Sequence, residues 1–248
     1  MQMMRDLRFG IRALLKDKGF SATVILTLAL CIGANTAIFA IVNSVLLRPL
    51  PVPRAGEIVL MSNQYPNAGS SKSTNSGGAD YFDRRRDMTV FSEQAMFNGD
   101  SRTIEVDGVP QRVTGMTATP TLFRLLEVRA LYGRTFTDEE GEIGHEDKVL
   151  LSYGFWKQMF SGSPDAIGKT LRMNNRPFIV VGVMPQNFQF VDPEVRYWVP
   201  LAFTEKQKEA RHSSNWHNIG RLKPGATIQQ ARAQLDAINA ANDQRFPQ

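Results

Sequence analysis

The chain is 248 residues long, 42% hydrophobic and 21% charged, with a formal net charge of +5. This composition excludes an intrinsically disordered chain and leaves length for one or two packed cores. The lone cysteine, Cys31, rules out an internal disulfide framework and a cysteine-based zinc site.

Near the start, Arg5, Arg8, Arg12 and Lys16 recur at helical spacing, while Leu7, Ile11, Leu14 and Leu15 take another face. The pattern predicts an amphipathic helix on the inner membrane surface, with its cations against anionic lipid headgroups. Two roles fit it: an elbow helix that docks a cytoplasmic partner, or a plain topology signal.

Residues 20–47, FSATVILTLALCIGANTAIFAIVNSVLL, contain no Asp, Glu, Lys or Arg. A helix rising about 1.5 Å per residue crosses the roughly 30 Å hydrocarbon core in about 20 residues, so the run predicts a transmembrane helix with length to spare for tilt. A signal peptide has an apolar region of only about 7–15 residues and a small-x-small cleavage site, and neither fits here. Leu28-Ala29-Leu30-Cys31 resembles a lipoprotein box, but a large residue precedes the cysteine, and cleavage would leave residues 32–47 as an apolar tail. Within the span, Ala29, Gly33, Ala37, Ala40 and Ser44 form a small-residue stripe that predicts close packing against another helix. Asn35 lies off the stripe, and a lone amide is costly against lipid, so it too predicts a helix neighbour.

Residues 1–19 hold five basic residues against two acidic ones, while the rest of the chain is close to balanced. The positive-inside rule therefore places the N-terminus in the cytoplasm and the bulk of the chain outside. The basic excess belongs to that short segment, so no nucleic-acid partner is expected. Three segments follow: a cytoplasmic stretch over 1–19, the transmembrane helix over 20–47, and an extracytoplasmic domain over 48–248.

Alternating prolines at 49, 51 and 53 end the helix and enforce an extended exit, with Arg48 at the outer headgroups. Residues 57–62 read as a strand, and 68–78 (AGSSKSTNSGG) as a flexible loop too polar to pack. A helix is expected over 79–88, with Arg84-Arg85-Arg86 on a solvated, partly ion-paired face. Strands at 103–106 and 111–116 flank an Asp107-Gly108 turn, a hairpin signal, and 120–126 reads as a short helix. The acidic run at 138–140 could suggest a metal or acid–base site, but Thr137 with Glu140 is a capping box. A strand at 148–151 precedes a helix capped by Ser152 and running to Phe160.

The stretch from Gly162 to Gly168-Lys169-Thr170 imitates a phosphate-binding loop. Its first glycine is one residue too early, and it follows a helix and opens a strand, the reverse of the required context. The strand at 170–173 turns at Asn174-Asn175 into FIVVGV (178–183), the most β-prone run and the expected central buried strand. A short strand follows at 198–201. His212 and His217 are five apart, a spacing that suits neither a helix face nor a strand, so no zinc site is expected. Thr227 and Gln230 form another capping box, opening a helix whose apolar face carries Ile228, Ala231, Leu235 and Ile238.

Four segments taken together resemble a known family. RFGIRALLKDKGFSATVILTLALCIGANTAIFAIVNSVLLRPLP is similar to the opening of MacB/FtsX-type ABC-transporter permeases, in particular the soil-bacterial group with duplicated permease units. LYGRTFTDEE, VLLSYGFWKQMFSGSPDAIGKTLRMNNRPFIVVGVMPQNFQF and IGRLKPGATIQQARAQL resemble its MacB-like periplasmic core, in the same order. The resemblance spans about residues 5–240, with Glu127 standing where the family pattern has glycine.

The resemblance implies an α+β fold, with a porter-like part of β-α-β units and a smaller mixed subdomain behind one transmembrane helix. It implies no enzyme and no cofactor: a permease component in the bacterial inner membrane that passes motion outward from a separate ATPase. The expected partners are membrane lipid, that ABC ATPase subunit, further permease helices, and through the stripe a homo-oligomer. The second helix of such a unit lies beyond residue 248, so a fragment, one piece of a split permease or a degenerate product is expected. The alternative is a freestanding membrane-anchored binding or scaffolding module. An anchored hydrolase has no Ser/His/Asp or paired-carboxylate arrangement behind it.

The orientation is directly testable. A reporter active only outside the cytoplasm should be active when fused after Gln248 and silent when fused before Met4; the reverse pattern would overturn the assignment.

Overall fold

The structure, a computed structural model, describes residues 18–45, 51–65, 70–73, 75–106, 108–210 and 215–245. The expected amphipathic segment with Arg5, Arg8, Arg12 and Lys16, together with Arg48, Asp107 and His212, lies outside these residues. The chain divides into two compact units, 1–49 and 50–248.

The first unit contributes helix α1 (Lys18–Val45), within which Lys18–Thr36 is long and apolar enough to cross a membrane. Its large side chains project outward: Leu30 is 73% exposed and Ile32 64%. Its hydroxyls are satisfied locally. Thr23 donates to the Gly19 carbonyl (3.0 Å), Thr27 to that of Thr23 (2.8 Å) and Thr36 to that of Ile32 (2.7 Å). Bonding back one turn satisfies each hydroxyl without water, which is how a helix carries threonine into hydrocarbon.

The second unit is a mixed helix-and-strand domain. In chain order it holds β1 (Ile58–Met61), β2 (Asn63–Tyr65), β3 (Ser70–Ser73), β4 (Asn75–Ser76), helix α2 (Gly78–Asp87), β5 (Phe91–Val106), β6 (Val109–Ala118), α3 (Thr121–Leu125) and β7 (Tyr132–Gly133). Then come β8 (Lys148–Leu151), α4 (Tyr153–Phe160), β9 (Thr170–Met173), β10 (Arg176–Val183), β11 (Tyr197–Pro200), α5 (Glu205–Glu209), β12 (Trp216–Leu222) and α6 (Ile228–Arg245). Apart from the small β2–β3 pair, these strands form one sheet. Its main path runs β1-β12-β5-β6-β11-β8-β10-β7; β4 pairs with β12, and β9 links β10 and β5. The pairs β6/β11 and β8/β10 are parallel. Two large apolar clusters hold the sheet, one centred on Phe123, Phe136, Phe190 and Trp198, the other on Phe155, Trp156, Phe178 and Tyr197.

Several expectations are corrected here. The hairpin is far longer than 103–116, because β5 begins at Phe91 and crosses the turn-like Asn98-Gly99-Asp100-Ser101 without breaking. Ten consecutive rungs to β6 (Phe97↔Ala118 to Val106↔Val109) override that local preference. Asp100 is held as well, accepting from Arg102 (2.7 Å) and from the Tyr197 hydroxyl (3.3 Å). The FIVVGV run is buried as expected, yet it lies toward one end of the sheet; the middle is β6 and β11. The loop expected over 68–78 packs in part: β3 pairs with β2, β4 pairs with β12, and Ser76 is fully buried. The solvated arginine triplet holds for Arg85 and Arg86 only. Arg84 is buried and donates to Ser76 (2.8 Å) and Asn218 (3.2 Å), so it joins α2 to the sheet. Neither α5 nor β12 was expected.

The capping boxes form. Glu140 accepts from the Thr137 amide (3.0 Å), Ser152 from that of Phe155 (3.2 Å), and Thr227 from that of Gln230 (3.2 Å). In the phosphate-loop imitation, the Gly168 amide donates to the Val180 carbonyl (2.8 Å) and the Lys169 amide to that of Ala166 (3.1 Å). The amides that a phosphate would need are already used.

Candidate functional site

The candidate site is where the chain enters the second unit, in the segment 51–57 just before β1. Two prolines, Pro51 and Pro53, and a short 3-10 turn at Ala55–Glu57 shape this strap. Val52 and Ile58 pack against the Phe123–Trp198 cluster, giving it an apolar footing.

Arg221, on β12, is only 3% exposed, and four oxygens from three places in the sequence surround its guanidinium. Nε donates to the Leu125 carbonyl (2.6 Å), Nη2 to that of Pro53 (2.9 Å), and Nη1 to that of Arg54 (3.2 Å) and to Glu57 Oε2 (3.4 Å). A planar cation with five donors suits such a set; a lysine ammonium, with three donors at one point, does not. The backbone of Arg221 also lies opposite Ile58, the first rung of the β1/β12 ladder.

A second arginine closes the arrangement. Arg54 bonds Glu127 through both Nε (3.3 Å) and Nη2, and lies 3.4 Å from Glu57. Its guanidinium is held above its ordinary pKa, first by the hydrogen bond to Glu127, then by the charges of Glu127 and Glu57. Both partners have left-handed backbone, φ 49° at Arg54 and 56° at Glu127. That region costs an ordinary residue about 1–2 kcal/mol and glycine almost nothing. Here the strained residue is a glutamate whose carboxylate engages the strap.

The site residues expected from the sequence lie elsewhere. Ala29 and Gly33 are exposed on α1, one turn apart, while the side chains of Ala37, Ala40 and Ser44 fall outside the described residues. A side chain added at Gly33 would meet nothing within 4 Å. No group of three His, Cys, Asp or Glu able to hold a metal occurs among the described residues; His217 packs against the Phe97 ring (5.2 Å). Sequence reasoning missed Arg221 as a site residue.

The family model described as MacB-like periplasmic core domain matches residues 21–238. The chain belongs to this family. Solved structures share the fold of this MacB-like domain at 15% identity. They include the periplasmic region of MacB from Actinobacillus actinomycetemcomitans (TM-score 0.53, covering 74% of this chain and 82% of that one). A domain of a putative permease protein from Porphyromonas gingivalis scores 0.58, covering 78% and 86%. The extracellular domain of the noncanonic ABC-type transporter YknZ from Gram-positive bacteria scores 0.52, covering 76% and 93%. A comparison with curated proteins finds no match.

Two stability outcomes follow. Arg221→Ala strands three carbonyls and a carboxylate and should destabilise the domain by about 3 kcal/mol in denaturant titration; a loss under about 1 kcal/mol would contradict the geometry. Glu127→Gly should melt at or above the wild-type temperature, whereas Glu127→Ala, which keeps the backbone strain and loses the ion pair, should melt below it.

Proposed function

We propose that this chain is a permease component of an ABC transporter, in which a separate ATPase hydrolyses ATP and α1 passes the resulting motion to the outer domain. The observation that carries this reading is that the family match begins at residue 21, inside the apolar helix, and runs on through the domain. Helix and domain are therefore matched together, as a moving part anchored in the membrane requires. In this reading the N-terminus lies in the cytoplasm, the domain lies outside the inner membrane, and Arg5, Arg8, Arg12 and Lys16 rest on the inner leaflet or on the partner.

The stripe of Ala29, Gly33, Ala37, Ala40 and Ser44 is proposed to pack against further permease helices or a second copy of the chain. Lipid gives helices little hydrophobic reason to associate, so close backbone approach supplies much of the attraction. For the alternative, an anchored binding module, the clefts on offer include about 270 Å³ between α2 and α6 and about 250 Å³ beside α2 and α5. In the second, Lys208 lies over the Phe82 ring at 5.8 Å, which favours packing over ligand binding.

Tagged chain purified from its own membranes in mild detergent should bring down an ABC-type ATPase and vanadate-sensitive ATP hydrolysis. An eluate without either would sink the permease reading. Gly33→Ile should abolish association in a two-hybrid assay of transmembrane helices while leaving insertion intact, with Thr23→Ile as the control for bulk. Equal signals for wild type and Gly33→Ile would reduce the stripe to composition.

A further inference from the structure

We infer that Arg221, Arg54 and Glu127 form a latch that spreads any pull arriving through the strap over the whole sheet instead of letting it peel the edge strand. This deepens the permease reading and rests on it.

The geometry sets the problem. β1 is the terminal strand of the sheet, bonded only to β12 along four rungs. The strap enters at the first of those rungs, Ile58↔Arg221. A displacement arriving from the N-terminal side with any component away from the sheet would load that rung first. Antiparallel ladders loaded at one end open rung by rung, and terminal strands have least to hold them.

The latch sits one step ahead of that rung. Before the chain reaches Ile58, the carbonyls of Pro53 and Arg54 and the carboxylate of Glu57 are bound to the side chain of Arg221. The residue that closes the first rung with its backbone thus holds the preceding strap with its guanidinium. Load is delivered to β12, which is bonded on its other side to β5.

A second path leaves through the same ring. Arg221 also holds the Leu125 carbonyl, and Arg54 holds Glu127, so the segment after α3 is tied to the strap at two points. That segment runs on to the far end of the sheet, where the Leu131 amide donates to the Val183 carbonyl (2.7 Å) and β7 pairs with β10. The strap is therefore fastened to both ends of the sheet. Two left-handed, non-glycine residues at the closure show where the backbone is held away from its preferred conformation.

The test is hydrogen exchange on the full chain in detergent micelles, read at the amides of 55–61, 125–133 and 148–183. Arg221→Met keeps the strand apolar and removes the donors; Arg54→Glu and Glu127→Arg break the second arm singly, and together they reverse it. Arg221→Met should speed exchange at 55–61 by about tenfold or more beyond any change at 148–183, because local opening is governed by local contacts. Each single charge reversal should speed exchange at 55–57 and 125–133, and the double reversal should restore it. Uniform acceleration everywhere would mean that Arg221 only supports the fold. No acceleration at 55–61, or no recovery in the double reversal, would equally overturn the latch. Because exchange needs no ATPase partner, these results stand apart from the co-purification, whose failure would remove the permease reading without touching the exchange pattern.

Discussion

The structure of the second unit depends on the continuity of β5. Its first residues pair with β12, its later ones with β6, and Ile104 also meets Met173 of β9, so one strand joins three others of the sheet. Break that strand at its polar middle and the two large apolar clusters would lose their common wall. The Asn98–Ser101 stretch has poor strand propensity and is kept straight by the ladder to β6 and by the Asp100–Arg102–Tyr197 contacts. Burial pushes the Tyr197 phenol pKa upward, so the hydroxyl remains a donor to Asp100 over any physiological pH.

Buried arginines recur around β12. Arg84 reaches it from α2 through Asn218, whose amide in turn donates to the Ala95 carbonyl of β5 (3.1 Å), and Arg221 reaches out from it to the strap. A buried guanidinium is costly unless nearly every donor is used, and both of these are richly bonded. Their cost is offset by what they join: segments distant in sequence whose backbone carbonyls or polar side chains would otherwise lie buried and unpaired.

How much of this could be read in advance depended on whether the cause was local. Capping boxes at Thr137 and Thr227, the helix after Ser152 and the hairpin at Asn174-Asn175 are dictated by residues three or four apart, and they form as read. The apolar span was legible because composition alone decides it. The first half of β5 and all of β12 were not, since their strand state is imposed by neighbours far along the chain. The latch was least legible of all: Arg54, Glu127 and Arg221 are spread over 168 residues, and their meeting is a property of the sheet order. Only Glu127 gave a hint, as an acidic side chain where the resemblance led to the expectation of glycine.

The threonines of α1 carry a consequence for how that helix sits in a bilayer. With Thr23, Thr27 and Thr36 turned onto their own backbone, they offer lipid no polar valence, and nothing in them fixes the azimuth of the helix. Asn35 is the amide or hydroxyl side chain among the described positions of the span left without a hydrogen bond. At 3.6 residues per turn it points about 200° away from Gly33. One neighbour cannot satisfy both. Under the packing proposed for the stripe, the glycine and the amide call for neighbours on nearly opposite faces of the helix.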